Sequence, residues 1–206
     1  MHIEFLVEEP SAEAALQHLL PKIFGDVATF IIHPYQGKPD LLKKLPVHLK
    51  GYRQWLPEDW RIVILVDADD DDCLKLKAQL EWMAQNAGFV TKSTVLPGQP
   101  FQVLNRLAVE ELEAWLFGDV EAINVAYPRV SPTLEKKEKY RNPDAIAGGT
   151  WEALERLLQE LNYFPEGLPK IRVAREVSRH MDPARNRSRS FQVFRQGLMD
   201  LIHSPA

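Results

Sequence analysis

The sequence predicts an α/β protein: a mostly parallel sheet flanked by helices, followed by a C-terminal helical extension. Three observations predict it. Short apolar and β-branched runs recur at residues 2–7, 27–33 and 61–66. A stretch of helical character separates each run from the next. Strand signals end near residue 120, after which only helical periodicity remains. The expected division is 1–120 for the α/β part and 121–206 for a helical extension packed on it.

Taken in order, "HIEFLV" (2–7) reads as a buried strand ending at Glu8. "PSAEAALQHLLPKIF" follows as a helix, with Ala14, Leu16, Leu19, Leu20 and Phe24 on one broad face. "VATFIIH" (27–33) is the second strand, and "DLLKKLPVHLKGYRQWL" a helical connection interrupted by Pro46. "RIVILV" (61–66) is the third strand. "DCLKLKAQLEWMAQNAG" (72–88) is an amphipathic helix stopped by Gly88. The alternation in "FVTKSTVL" (89–96) predicts the fourth strand. "PFQVLNRLAVEELEAWLFGD" then passes from an extended stretch into a short helix whose Leu112, Trp115 and Leu116 belong to the core. "TWEALERLLQELNYF", "LPKIRVAREVSRHM" and "SFQVFRQGLMDLI" supply three further helices.

Bulk properties exclude several classes. A net charge of −4 over 206 residues gives no global demand for nucleic acid or membrane. The charge is uneven, however: residues 170–206 hold eight Lys and Arg against three acids, an asymmetry that suits an anionic partner. Cys73 is the single cysteine, which rules out an intramolecular disulfide and a cysteine metal cluster. "MHIEFLVEEPS" lacks the basic and long apolar regions of a signal peptide. No run approaches the roughly 18–20 apolar residues of a membrane span. A reducing cytoplasm is the expected compartment. There is no glycine-rich phosphate loop and no nucleophile elbow.

The chemistry is expected at the carboxyl ends of the strands, where open α/β sheets bind ligands. Glu8 and Glu9 follow the first strand. Asp67 and Asp69 follow the third, at the head of five aspartates within residues 67–72. Parallel strands bring both groups to one edge. Carboxylates so gathered repel unless a cation compensates, and a hard divalent ion suits oxygen donors. Asp70, Asp71 and Asp72 read as cap and solvent residues at a helix N-terminus. Glu111 is a further metal or supporting residue if its helix starts where a strand ends. His33 ends the second strand near the same edge. In "RHMDPARNRSRSF" (179–191), Arg185, Arg187, Ser188 and Arg189 offer forks and a hydroxyl for phosphate oxygens, with His180 nearby. Ser190 offers a second hydroxyl to phosphate or, as the commoner use of a serine there, caps the final helix. Lys170, Arg172 and Arg175 extend the patch at helical spacing.

"FLVEEPSAEAAL" followed by "VILVDADDDDC" resembles the topoisomerase–primase (Toprim) pattern, with a Glu ending the first strand and a D-x-D ending a later one. More narrowly, "VDADDDDC", "EELEAWLFGD", "KYRNPDAI" and "RNRSRSF" resemble a prokaryotic Toprim-like domain-of-unknown-function family (forty-two seventy-six) over nearly the whole chain. The resemblance implies a Rossmann-like Toprim sheet, with Glu8 as general acid/base or metal ligand. It implies Asp67 and Asp69 as ligands of Mg²⁺ or Mn²⁺ for phosphoryl transfer or cleavage in nucleic acid. Many relatives place glycine after the Glu; here Glu9 stands there, which leaves Glu8 and Glu9 as alternatives. Such nucleases often work beside a partner ATPase, in genome maintenance or anti-phage defence. The leading expectation is therefore a metal-dependent nuclease. A non-enzymatic Toprim-like module binding nucleic acid or a partner is the alternative, and a phosphatase of small phosphate esters a third. Convergence of Glu8 with Asp67 and Asp69 separates the first from the second.

Overall fold

The computed structural model describes residues 1–96 and 98–204. Four strands form one all-parallel sheet: β1 (His2–Val7), β2 (Thr29–Pro34), β3 (Trp60–Asp67) and β4 (Val103–Ala108), in the order β2-β1-β3-β4. The crossovers are α1 (Pro10–Phe24), α2 (Lys38–Trp55) and, on the way to β4, α3 (Cys73–Asn86). The chain continues through α4 (Glu113–Phe117), α5 (Val120–Ala126), α6 (Thr150–Glu160), α7 (Lys170–Ser178) and α8 (Arg189–Ile202). No helix among the described residues is long and apolar enough to cross a membrane.

Period-two alternation distributes the strand side chains between two cores. Phe5, Val7, Val63 and Leu65 face one core, which also takes Leu16 and Leu19 of α1 and Phe191 and Leu198 of α8. Leu6, Ile62, Ile64 and Val66 face the other, under Leu41, Leu45 and Leu49 of α2 and Leu80 of α3. The C-terminal helices thus share a core with the sheet. Lys22 of α1 fastens them from outside: its ammonium donates to the carbonyls of Ser178, Arg179 and Met181, at 3.0, 2.7 and 2.8 Å, where α7 ends.

Two local expectations are corrected. Pro46 does not interrupt α2, which runs unbroken from Lys38 to Trp55. Leu41, Leu45 and Leu49, spaced by four and fully buried, hold the helix through the missing amide. Residues 89–96 are not the fourth strand. They make a single bridge, Thr91 to Val103, and then turn, with the Thr91 and Thr94 hydroxyls 3.0 Å apart and the Thr94 amide on the Thr91 carbonyl. The strand lies at Val103–Ala108, where Asn105 and Arg106 interrupt the apolar pattern of an edge strand.

Trp115 is the largest fully buried side chain. Its ring packs on Phe191 and Phe194, with centroids 5.2 and 4.8 Å away, and its Nε1 donates to Ser190 Oγ at 2.8 Å. Trp115→Phe keeps an aromatic ring and loses that bond. The expected cost is about 1 kcal/mol, read as a lower urea midpoint at unchanged slope.

Candidate functional site

Strand order reverses between β1 and β3: from β1 the chain goes first to β2 on one side, then to β3 on the other. Crevices at such reversals, outside the carboxyl ends, are where open α/β sheets bind ligands. The residues leaving β1 and β3 are Glu8 and Asp67. Glu8 Oε2 accepts the Asp67 amide at 3.0 Å, and the Glu8 carbonyl accepts the amide of Gly37 at 2.9 Å. Gly37 sits at φ 92°, a conformation glycine adopts freely, and this sharp entry brings the start of α2 against the acidic edge. The ladder continues past the strand ends, Ala68 to Ala108 at 2.8 Å and Asp69 to Glu110 at 2.7 Å. Asp69 (φ 47°) and Glu110 (φ 62°) both occupy the left-handed region, so each acidic loop carries one strained residue.

The cation at this edge is Lys38, in the first turn of α2. Its ammonium lies 2.8 Å from Asp69 and 2.7 Å from Asp71, and donates to the Ala68 carbonyl at 3.1 Å. Burial pulls its pKa down, but the bonds to Asp69 and Asp71 outweigh that and hold it above the ordinary lysine value. Asp72 caps α3 through the amides of Leu74 and Lys75, at 2.9 and 3.2 Å. Of the five aspartates, then, Asp72 serves as a helix cap, Asp71 pairs with Lys38, and Asp70 is exposed at the rim.

Beneath the rim the acids are buried. Asp67 falls on the face of Val63 and Leu65, the side covered by α4. Burial, then the neighbouring Glu113 and Glu8, pushes its pKa well above the usual carboxylate range. Glu113, the first residue of α4, is 1% exposed, and its Oε2 has no hydrogen-bond partner. Burial pushes its pKa up to about 7, partly offset by Lys170. Glu8 is raised too, by burial first, against the Asp67 amide that favours its charged form. Lys170 lies 3.9 Å from Glu9 and 4.5 Å above the Trp151 ring. Glu113 and Glu9 keep it charged despite burial. The site is thus a half-buried carboxyl cluster with an ammonium on either side.

Of the expected site residues, the fold brings Glu8, Asp67 and Asp69 together. Glu111 is engaged elsewhere: Oε2 accepts Thr150 Oγ1 at 2.9 Å and the Trp151 amide at 2.6 Å, tying down the start of α6. It nonetheless borders a cleft of about 620 Å³ with Asp69, Asp70, Glu110, Ile146 and Glu152. Glu113, Lys38 and Lys170 were not expected. The signal for Glu113 was its place directly before the apolar Ala-Trp-Leu-Phe run, which buries whatever begins that short helix. Among the described residues no three Asp, Glu, His or Cys side chains stand ready-made to hold a metal ion. The donor chemistry itself, anionic oxygens at a strand edge, fits a hard divalent cation. His33 turns away from this edge and pairs with the buried Glu4.

The basic segment divides. Arg185 forks onto the buried Asp119 at 2.9 and 3.0 Å. Ser188 is fully buried; its hydroxyl caps α8 through the Phe191 amide and donates to Asp144 at 2.7 Å, so it presents nothing to a phosphate. Ser190 bonds Trp115 and Asp144. Arg187 donates to the Arg141 carbonyl at 3.2 Å and is exposed, as is Arg189. Arg172 pairs with Glu176 at 2.8 Å.

No curated protein and no solved structure matches this chain. A family described as a domain of unknown function (DUF4276) matches residues 7–199, a span that takes in every residue of the acidic cluster. The chain belongs to the DUF4276 family.

Proposed function

We propose that the protein is a divalent-cation-dependent enzyme of phosphodiester chemistry, a nuclease built on the Toprim plan. The observation that carries this reading is the burial of Asp67 and Glu113 at the sheet reversal, where the charge of Glu113 acts on Asp67, with Glu113 Oε2 unpartnered. Structural carboxylates are buried with partners; a pair kept short of them suits a ligand that brings positive charge. Asp67, Asp69 and Glu113 are the residues that would hold Mg²⁺ or Mn²⁺. When bound, the ion would stabilise charge on a phosphoryl oxygen and lower the pKa of a coordinated water. Glu8, anchored on the Asp67 amide, is the general base, and its raised pKa moves it toward neutrality. Lys38 and Lys170 hold the acids in place. The Toprim likeness of the Glu8 and Asp67-x-Asp69 pattern supports the same assignment. By that likeness a partner ATPase and a cytoplasmic setting are part of the proposal.

One observation favours a second reading, a non-enzymatic module. Lys38 already neutralises Asp69 and Asp71 without any metal. Calorimetric titration with Mg²⁺ and Mn²⁺ decides between them. The enzyme reading expects heat of binding that Asp67→Ala/Asp69→Ala abolishes and that Lys38→Gln enhances, because Lys38 competes for the same oxygens. Wild-type protein that takes up neither ion at millimolar concentration sinks the enzyme reading.

A further inference from the structure

On the far side of the β4 edge, α8 and β4 border a groove of about 340 Å³. Lys92, Arg106, Arg189, Gln192, Gln196 and Gly197 line it: three cations, two amides and no carboxylate. Arg106 projects from edge strand β4 and bonds only backbone carbonyls, Nε to Val193 at 3.2 Å and Nη1 to Asn105 at 2.9 Å. No carboxylate among the described residues hydrogen-bonds it. Lys77 stands behind it on α3, bonded to Glu81 and to the Asn105 carbonyl at 2.6 Å. Lys92 is held by Asp200 at the groove's margin. Burial lowers the pKa of Lys92, and repulsion from Arg106 and Lys77 lowers it further, which marks a surplus of positive charge.

Gly197 makes this arrangement possible. A Cβ there would stand 2.6 Å from Arg106 Nη2 and 2.8 Å from Nε, so only glycine lets the guanidinium lie across α8. Glycine inside a helix costs about 1 kcal/mol relative to alanine. That cost keeps an arginine fork at the groove with Glu81 as a charged neighbour and no carboxylate hydrogen-bonded to it among the described residues. One hydrogen bond ties the margin of the groove to the wall of the acidic cleft. The Arg189 amide donates to Asp144, and the next two residues, Ala145 and Ile146, line the cleft that holds Asp69 and Glu110.

We propose that the groove between β4 and α8 binds the phosphate backbone of a single nucleic-acid strand and leads it past Asp144 to the acidic edge. This rests on the phosphodiester reading above and names its substrate track. The Gln192 amide is taken by the Pro183 and Asn186 carbonyls and the Gln196 amide by Asp200, so the guanidinium groups are what match phosphate oxygens, and a cationic groove beside an acidic centre separates binding from reaction.

The test is binding of a fluorescent single-stranded oligonucleotide to the full chain in EDTA, across a salt series. Working without metal keeps its failure distinct from failure of the metal site, which calorimetry reads separately. Lys92→Gln/Arg189→Gln is expected to weaken binding about tenfold at moderate salt. It should also flatten the slope of log affinity against log salt by about 1.4, the loss of two phosphate contacts on a single strand. Gly197→Ala displaces the Arg106 guanidinium and keeps its charge; binding weakens while the melting temperature rises, an opposition that a merely structural role would not produce. Groove variants that bind like wild type overturn the proposal. So does a groove that takes inorganic phosphate but gains nothing from a strand.

Discussion

Glu113→Gln is expected to make the metal-free protein more stable at pH 8, by on the order of 2 kcal/mol, and to make its stability less dependent on pH. The sign follows from where the proton sits. The ordinary pKa of this carboxyl is 4.5, and burial raises it to about 7 in the folded chain. An acid whose folded pKa is raised holds its proton more tightly when folded, so folding bears no penalty from it below pH 4.5. The penalty grows from pH 4.5 to 7 and is full above that. A shift of this size corresponds to on the order of 3 kcal/mol with the Lys170 attraction already inside it, and the cost of burying the glutamine's unpartnered amide, about 1 kcal/mol, must be subtracted. Glu81 and Glu176 titrate with the opposite sign, their pKa values being lowered. They are present in both proteins and cancel in the comparison. Urea unfolding at pH 5 and pH 8 in EDTA reads the effect: the variant should gain at pH 8 and match wild type at pH 5. Loss of stability at pH 8 would mean the carboxylate is satisfied where it stands. On the enzyme reading, the same substitution removes one donor, so Mg²⁺ should stabilise wild type more than Glu113→Gln.

Much of this site was legible because strand ends are legible. The run 61–66 is apolar at every position but its first, and 2–7 at every position but His2 and Glu4, so the residue that closes each meets the sheet edge. Glu8, Asp67 and Asp69 follow from that and from parallel strands. Glu113 was hidden because α4 is five residues long and wholly buried, too short for a periodicity to show which face is wet. Glu111, two residues earlier, carries an equally polar signal yet ends up bonded to the start of α6, a contact 40 residues away that local sequence cannot express. Lys38 was hidden for the same reason: it meets Asp69 and Asp71 only because Gly37 turns α2 onto the edge. The fourth strand was misplaced because 89–96 alternates well but spends its threonines on a turn, whereas Val103–Ala108 carries Asn105 and Arg106 into the sheet.

Arg185→Ala is expected to lower stability by about 3 kcal/mol, which would make this arginine part of the scaffold and leave phosphate to its neighbours. Its partner Asp119 has a side chain with no exposure, accepting the Asp182 amide at 2.8 Å and the Ala122 amide at 3.3 Å. Arg185 is the cation that faces this buried carboxylate, and its fork reaches outward to Glu121 as well, at 3.1 Å. Removing the arginine leaves a buried anion with two backbone donors and only the more distant Lys22 as counter-charge, the costly half of a broken ion pair. Asp119→Asn alone should cost less, because an amide oxygen still accepts at least one backbone donor and the guanidinium, partly exposed, recovers water. The double variant should therefore be more stable than Arg185→Ala, with a coupling between the sites that a double-mutant cycle measures directly. The same cycle tests how the basic segment is divided. An Arg185→Ala protein that unfolds at the wild-type urea midpoint would free Arg185 for a ligand. The expected midpoint drop, with no comparable drop for Arg189→Ala, assigns Arg185 to holding the 180–188 loop against α5 and leaves Arg189 at the groove.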